Sequence, residues 1–150
     1  MDTTQSLQRS RRDLQPPAPQ ADVPAGFDPL RAPPGFVHEI GGFHVHHELD
    51  VVAMRVSNEH INSIGIAHGG FLATLADTAF GVLVKRQCGL VTSPATVSLT
   101  VDYIGPARAG DWLEAHVEVH KVGRRLTNAS CMLRVGQRLI ARASGVFIIP

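Results

Sequence analysis

Residues 71 to 84, FLATLADTAFGVLV, constrain the fold more than any other stretch of the chain. Phe71, Leu72, Leu75, Ala76, Ala79, Phe80, Val82, Leu83 and Val84 on one helix leave little angular room for solvent, so most of the rod's circumference has to be wrapped. Lipid is not the expected wrapping. Thr74, Asp77 and Thr78 break the run, which also falls short of the roughly 20 apolar residues a bilayer span needs. After it, KRQCG puts cations in a last turn and Gly89 at a C-cap.

The wrapping can be read in the flanks. FHVHHELD and VVAMRVS, from Phe43 onward, read as a strand pair about a short polar turn. Beyond the helix, SPATVSLTVDYIG puts Val97, Leu99, Val101 and Tyr103 on one face and Thr96, Ser98, Thr100 and Asp102 on the other. DWLEAHVEVHKVG alternates Leu113, Ala115, Val117 and Val119 with Trp112, Glu114, His116, Glu118 and His120. RRLTNASCMLRVG and QRLIARASGVFIIP complete the series, with GPARAG, KVGRR and VGQR as turns. A strand pair, one long helix and a meander of long strands predict an α+β domain, an antiparallel sheet wrapped around a single central helix.

The N-terminal segment has a different character. Seven of the ten prolines fall within the first 34 residues, among Gln, Ser and cancelling charges, too little apolar surface to offset the entropy of ordering. Residues 1 to 26 are expected to be a disordered tail and residues 27 to 150 the domain, entered through FDPLRAPPGFVHEIGG with one helical turn around Phe36 to Ile40. Arg11-Arg12 has the look of a twin-arginine signal, but QPPAPQADVPAG follows where an apolar region is required, so a cytoplasmic protein is expected. Fourteen basic against thirteen acidic residues leave a net charge of +1, which points to neither nucleic acid nor a membrane as partner. Cys88 and Cys131 are too few for a disulfide framework or a metal motif and read as buried or half-buried small residues.

Chemistry concentrates at the helix start. Gly69 and Gly70 leave the first free backbone N–H groups approachable, and with the helix dipole these donors suit an oxygen that becomes anionic; a tight, closely packed turn is the plainer alternative. Asp77 among apolar neighbours is costly unless paired or protonated. It is either a buried acid bonded to Thr74, Thr78 or an arginine across an interface, or a catalytic carboxylate. Gly69 and Asp77 are eight residues apart, roughly 12 Å along a helix axis, so one carbonyl cannot touch both. If Gly69 polarises a carbonyl while Asp77 directs attack on it, they come from different chains, and a symmetric dimer with two composite sites follows.

At these positions, Asn62, Gly65, His68, Gly69, Gly70 and Asp77, the sequence resembles the hotdog-fold acyl-CoA thioesterases of the PaaI-like branch, with HGGFLATLADTAFG similar to the central-helix signature. The resemblance covers about residues 36 to 149, including VDYIGPARAGD and the VGRR turn. It implies hydrolysis of acyl-CoA thioesters without a metal or redox cofactor, coenzyme A entering only as part of the substrate. It implies Gly69 N–H as oxyanion donor, Asp77 as the carboxylate that activates water or attacks directly, and Asn62 and His68 positioning the thioester and the loop. Thr96, ten residues before Pro106, corresponds to a hydroxyl that helps hold the water. A homodimer pairing into a dimer of dimers is expected, with an acyl pocket between subunits walled by Gly70, Phe71 and Leu72.

Other signals are weaker. His44 with His46, and His116 with His120, lack a convergent third ligand and read as strand-face histidines, so no metal site is expected. Arg108, Lys121, Arg124 and Arg125 are either ordinary surface charge or contacts for coenzyme A phosphates. A G-x-S-x-G nucleophile frame is absent, which disfavours a serine hydrolase. The rivals are a non-catalytic acyl-CoA-binding or regulatory module on the same fold, a hydratase, whose Asp and His on a shared loop are missing here, and a structural assembly protein.

Overall fold

A computed structural model describes residues 22–150. Seven strands form one antiparallel sheet: β1 (Phe27–Pro29), β2 (His44–His46), β3 (Val51–Arg55), β4 (Ala95–Tyr103), β5 (Trp112–Val122), β6 (Leu126–Val135) and β7 (Arg138–Ile148), in the order β1-β2-β3-β5-β6-β7-β4. Two α-helices accompany them, the short α1 (Phe36–Ile40) and the central α2 (Gly69–Gln87), with a 3-10 turn at Asn58–His60. The long β5, β6 and β7 are a meander in which Ala115, Val117, Cys131, Leu133, Ala141 and Ala143 turn one face to the core. Against that face α2 buries Leu72, Leu75, Ala76, Ala79, Phe80, Leu83 and Val84. Phe80 meets Phe147 of β7 with ring centroids 4.9 Å apart, and each such buried ring contributes about 2 to 3 kcal/mol from burial.

The expected strand pair is β2 with β3, the expected helical turn is α1, and β5 to β7 form a meander as read, but β4 makes no hairpin with β5 across GPARAG: it lies at the far edge of the sheet and pairs with β7. The C-terminal end of α2 also follows expectation, with one shift. Cys88 is the cap, and Gly89, at φ +63°, takes the left-handed position just beyond it, where Leu90 N–H reaches back to Lys85 O at 2.8 Å.

Three further expectations need correction. First, α2 is not dry all round: Ala73, Asp77, Gly81 and Lys85, spaced four apart, form a stripe turned from the sheet, with Asp77 exposed. Second, β4 does not keep strict alternation. A bulge between Thr96 and Ser98 in its pairing with β7 reverses the parity, so Thr96 and Tyr103 both reach α2 although they are seven residues apart. Third, the approach segment contains β1, which pairs with β2. The tail expected over residues 1 to 26 lies, up to residue 21, outside the described residues; 22 to 26 lead through a turn into β1.

Candidate active site

The head of α2 is built by the loop before it. Asn62 Oδ1 accepts from Ile64 N–H at 3.0 Å and Ile66 N–H at 3.2 Å, closing the loop on itself, and an isolated bridge pairs Ile61 with Ala67. His68 N–H donates to His60 O at 2.8 Å, tying the last residue before the helix to the 3-10 turn. His68 is the N-cap, its Nδ1 accepting from Gly70 N–H at 2.9 Å. Among the described residues nothing accepts from Gly69 N–H, so this donor is left at the positive end of a 19-residue helix.

Packing here is tight around both glycines. A Cβ on Gly69 would lie 3.1 Å from the Tyr103 ring, and one on Gly70 would lie 3.1 Å from His68 Nδ1. Tyr103 Oη donates to Gly69 O at 2.8 Å, so the side chain that closes one face of the glycine also holds the peptide that follows it. Sequence reading did not single out Tyr103; the bulge hides its partnership with the helix start.

Just over two turns further on, Asp77 Oδ1 accepts from Thr96 Oγ1 at 2.8 Å. The structure thus brings the Thr96 hydroxyl onto Asp77. It does not bury Asp77 within one chain, nor pair it with Thr74, whose hydroxyl donates to Gly70 O at 2.9 Å.

A cavity of about 750 Å³ opens beside the helix start, lined by Phe36, Ile40, His60, Ile61, Gly70 and Phe71 among others. Gly70 and Phe71 are on its wall; Leu72 is not, because its position on α2 turns it into the core at 4% exposure. His60 stacks on Phe71, centroids 4.0 Å apart and planes within 9°. Ser57 N–H donates to His60 Nδ1 at 3.0 Å, which leaves the ring proton on Nε2, and loss of solvent lowers the His60 pKa against an opposing pull from Glu59. Sequence reading missed His60 as well; its only signal was position, two before Asn62.

The basic residues separate into two places. Lys121, Arg124 and Arg125 border a groove of about 450 Å³ at the β5–β6 turn, and Arg108 is elsewhere, beside the loop, with Nη1 3.5 Å from Gly65 O. His116 contacts Glu114 at 3.0 Å and His120 contacts Ser130 Oγ at 2.7 Å, as strand-face residues do. Cys131 is buried and its thiol is pushed up to about 12 by desolvation, while Cys88 is half-buried.

An antiparallel sheet curled on one helix, with a bare glycine turn at the helix head and a hydroxyl-braced carboxylate along its open stripe, is the hotdog class of fold. Within that class, residues 64–142 match the model of the thioesterase superfamily, and the chain belongs to that family, as a PaaI-like thioester hydrolase. It is 42% identical over 132 residues to the Pseudomonas aeruginosa protein named "Putative esterase PA0474", covering 86% of this chain and 98% of that one. Against the acyl-coenzyme A thioesterase PaaI of Escherichia coli it is 37% identical over 75 residues, half of this chain and 51% of the other. The solved mutant structure of the phenylacetic acid degradation protein PaaI from Thermus thermophilus superposes with a TM-score of 0.62 at 27% identity, over 83% of this chain and 94% of that one.

Proposed function

We propose that the chain hydrolyses acyl-CoA thioesters to a free acid and coenzyme A, at sites shared between two copies. The observation that carries the proposal is the unengaged Gly69 N–H at the head of a helix whose open stripe bears Asp77. The thioester carbonyl lies on Gly69 N–H of one copy, where the helix dipole favours the charge that develops on oxygen. Asp77 of the other copy directs attack on that carbon, by taking a proton from water or by attacking directly, with Thr96 Oγ1 holding the carboxylate in place. The tetrahedral adduct expels the thiolate of coenzyme A, a leaving group that needs no strong acid. With direct attack, water then cleaves the Asp77 anhydride. The route uses no metal or redox cofactor.

Asn62 and His68 serve by shaping the loop that presents Gly69, and the cavity beside Gly70 and Phe71 receives the acyl group. Lys121, Arg124 and Arg125 offer a groove suited to the coenzyme phosphates, and Arg108 a separate contact. A dimer is favoured by β4, a nine-residue edge strand with one long side unpaired and Val97 at 56%, Tyr103 at 57% and adjoining Ile104 at 52% exposure. Dimers then pair into a dimer of dimers.

The test is thiol release from a panel of acyl-CoA esters by the native chain, Asp77→Asn and Asp77→Ala. Turnover should fall by about 10²- to 10⁴-fold in both variants with the dimer preserved. Undiminished turnover would remove Asp77 from the mechanism. No turnover by the native chain on any ester would favour an acyl-CoA-binding module.

A further inference from the structure

His60 holds the head of α2 at two points. Its carbonyl accepts from His68 N–H at 2.8 Å, on the residue before Gly69, and its ring lies flat on Phe71, two residues after Gly69, with centroids 4.0 Å apart and planes within 9°. Gly69 is therefore spanned by contacts to a single residue of the 3-10 turn.

The ring also closes that turn. Ser57 N–H donates to His60 Nδ1 at 3.0 Å and His60 N–H donates back to Ser57 O at 3.1 Å; among the described residues Ser57 N–H has no other acceptor. A backbone N–H can only donate, so Nδ1 has to keep its lone pair and the ring has to be neutral. A second proton could enter only at Nδ1, where it would face Ser57 N–H and leave that donor unpaired. Ser57 Oγ, 3.2 Å from Nδ1, is the acceptor within reach of the charged ring, and using it takes the ring off the line to Ser57 N–H.

His60 lines the cavity at Gly70 and Phe71 and a second one of about 550 Å³ on its other side. The charged and titratable groups that line these cavities with it are Glu59 on its own turn, Glu39 of α1, His68 at the head of α2, Arg55 of β3 and His44 of β2. The two carboxylates favour a charged ring and Arg55 opposes it. Loss of solvent outweighs the pull of Glu59, so the neutral ring is favoured.

We propose that neutral His60 is the positioning residue of the oxyanion donor: its carbonyl and ring keep Gly69 N–H aimed at the substrate oxygen, and a proton on Nδ1 loosens that aim and slows turnover. The role of Gly69 N–H rests on the thioesterase reading proposed above, whereas the mechanical link from His60 to Gly69 does not.

The full-length chain is followed in two ways between about pH 8 and 5, by kcat for thiol release from hexanoyl-CoA and by the amide NMR signal of Gly69. His60→Asn puts an acceptor oxygen near the place of Nδ1 and takes up no proton in this range. Native kcat should fall as pH drops below 6.5, by about threefold or more at about pH 5, and most of that fall should be missing in His60→Asn. The native Gly69 amide should shift with the midpoint of the His60 ring. In His60→Asn that step should vanish, leaving only the one that follows the adjacent His68. A native kcat that stays flat to about pH 5, an equal fall in His60→Asn, or a Gly69 amide that ignores the His60 midpoint would overturn the proposal. Should His60→Asn fail to fold, the native chain decides, because its Gly69 amide and His60 ring, followed in one titration, either share a midpoint or do not. A Gly69 amide that tracks His60 in a chain releasing no thiol at any pH keeps the link and loses the thioesterase reading. Turnover without an acid fall that depends on His60 does the reverse.

Discussion

Tyr103 acts on Gly69 twice, its hydroxyl holding the carbonyl and its ring closing the face where a side chain would otherwise point. If Gly69 N–H grips the substrate oxygen, loosening the peptide that follows Gly69 should cost turnover more than binding. Tyr103→Phe is expected to lower kcat by about tenfold with KM little changed, and an unchanged kcat would show that the glycine turn holds itself. His60 makes a prediction about pH. Its pKa is lowered from the ordinary 6.5 by desolvation, so between the two values the unfolded chain binds the proton that the folded chain refuses. Stability should therefore fall as pH drops from above 6.5 through the folded value, and His60→Gln should show a shallower fall in urea midpoints between about pH 8 and 5. Parallel profiles would remove His60 from the pH dependence. At this scale the sequence exposed some roles and hid others. Gly69, Gly70, Asp77 and Thr96 stand in a recognisable spacing. Tyr103 and His60 act through partners 34 and 11 residues away, and spacing within one element does not report such contacts.

Among the elements, α2 was legible because its apolar residues repeat at helical period over several turns, and β5 to β7 because alternation persists over ten or eleven residues each. β1 was not: three residues ending in Pro29 carry no period. The bulge in β4 also escaped, since one inserted residue leaves the run hydrophobic while exchanging its faces. The wet stripe of α2 was missed for another reason. Ala73 and Gly81 are apolar by composition yet lie in line with Asp77, so an apolar count overstates how much of the helix is covered. The end of α2 depends on Gly89 at φ +63°, and Gly89→Ala should lower stability by roughly 1 to 2 kcal/mol in urea denaturation, with the free-thiol assay unaffected once folded. No change in stability would mean that the turn after α2 relaxes freely.

For the molecule as a whole, the proposed sharing of one carbonyl between Gly69 and Asp77 calls for a second copy. Gly69 and Asp77 sit on one continuous helix, roughly 12 Å apart along its axis, so a single copy cannot apply both to one carbonyl. β4 has an open edge, and α2 an exposed stripe that carries Asp77. That separation was legible from residue numbers alone, whereas the edge position of β4 emerged only from the strand order. Subunit complementation tests the sharing directly. Asp77→Asn and Gly69→Val chains, each inactive alone, are unfolded together, refolded at equal concentration and assayed for thiol release. Random pairing makes half the dimers mixed, each with one intact composite site and one doubly defective site, so the mixture should recover about a quarter of native activity. A mixture no more active than its separate components, with mixed dimers shown to be present, would contradict a site shared between chains.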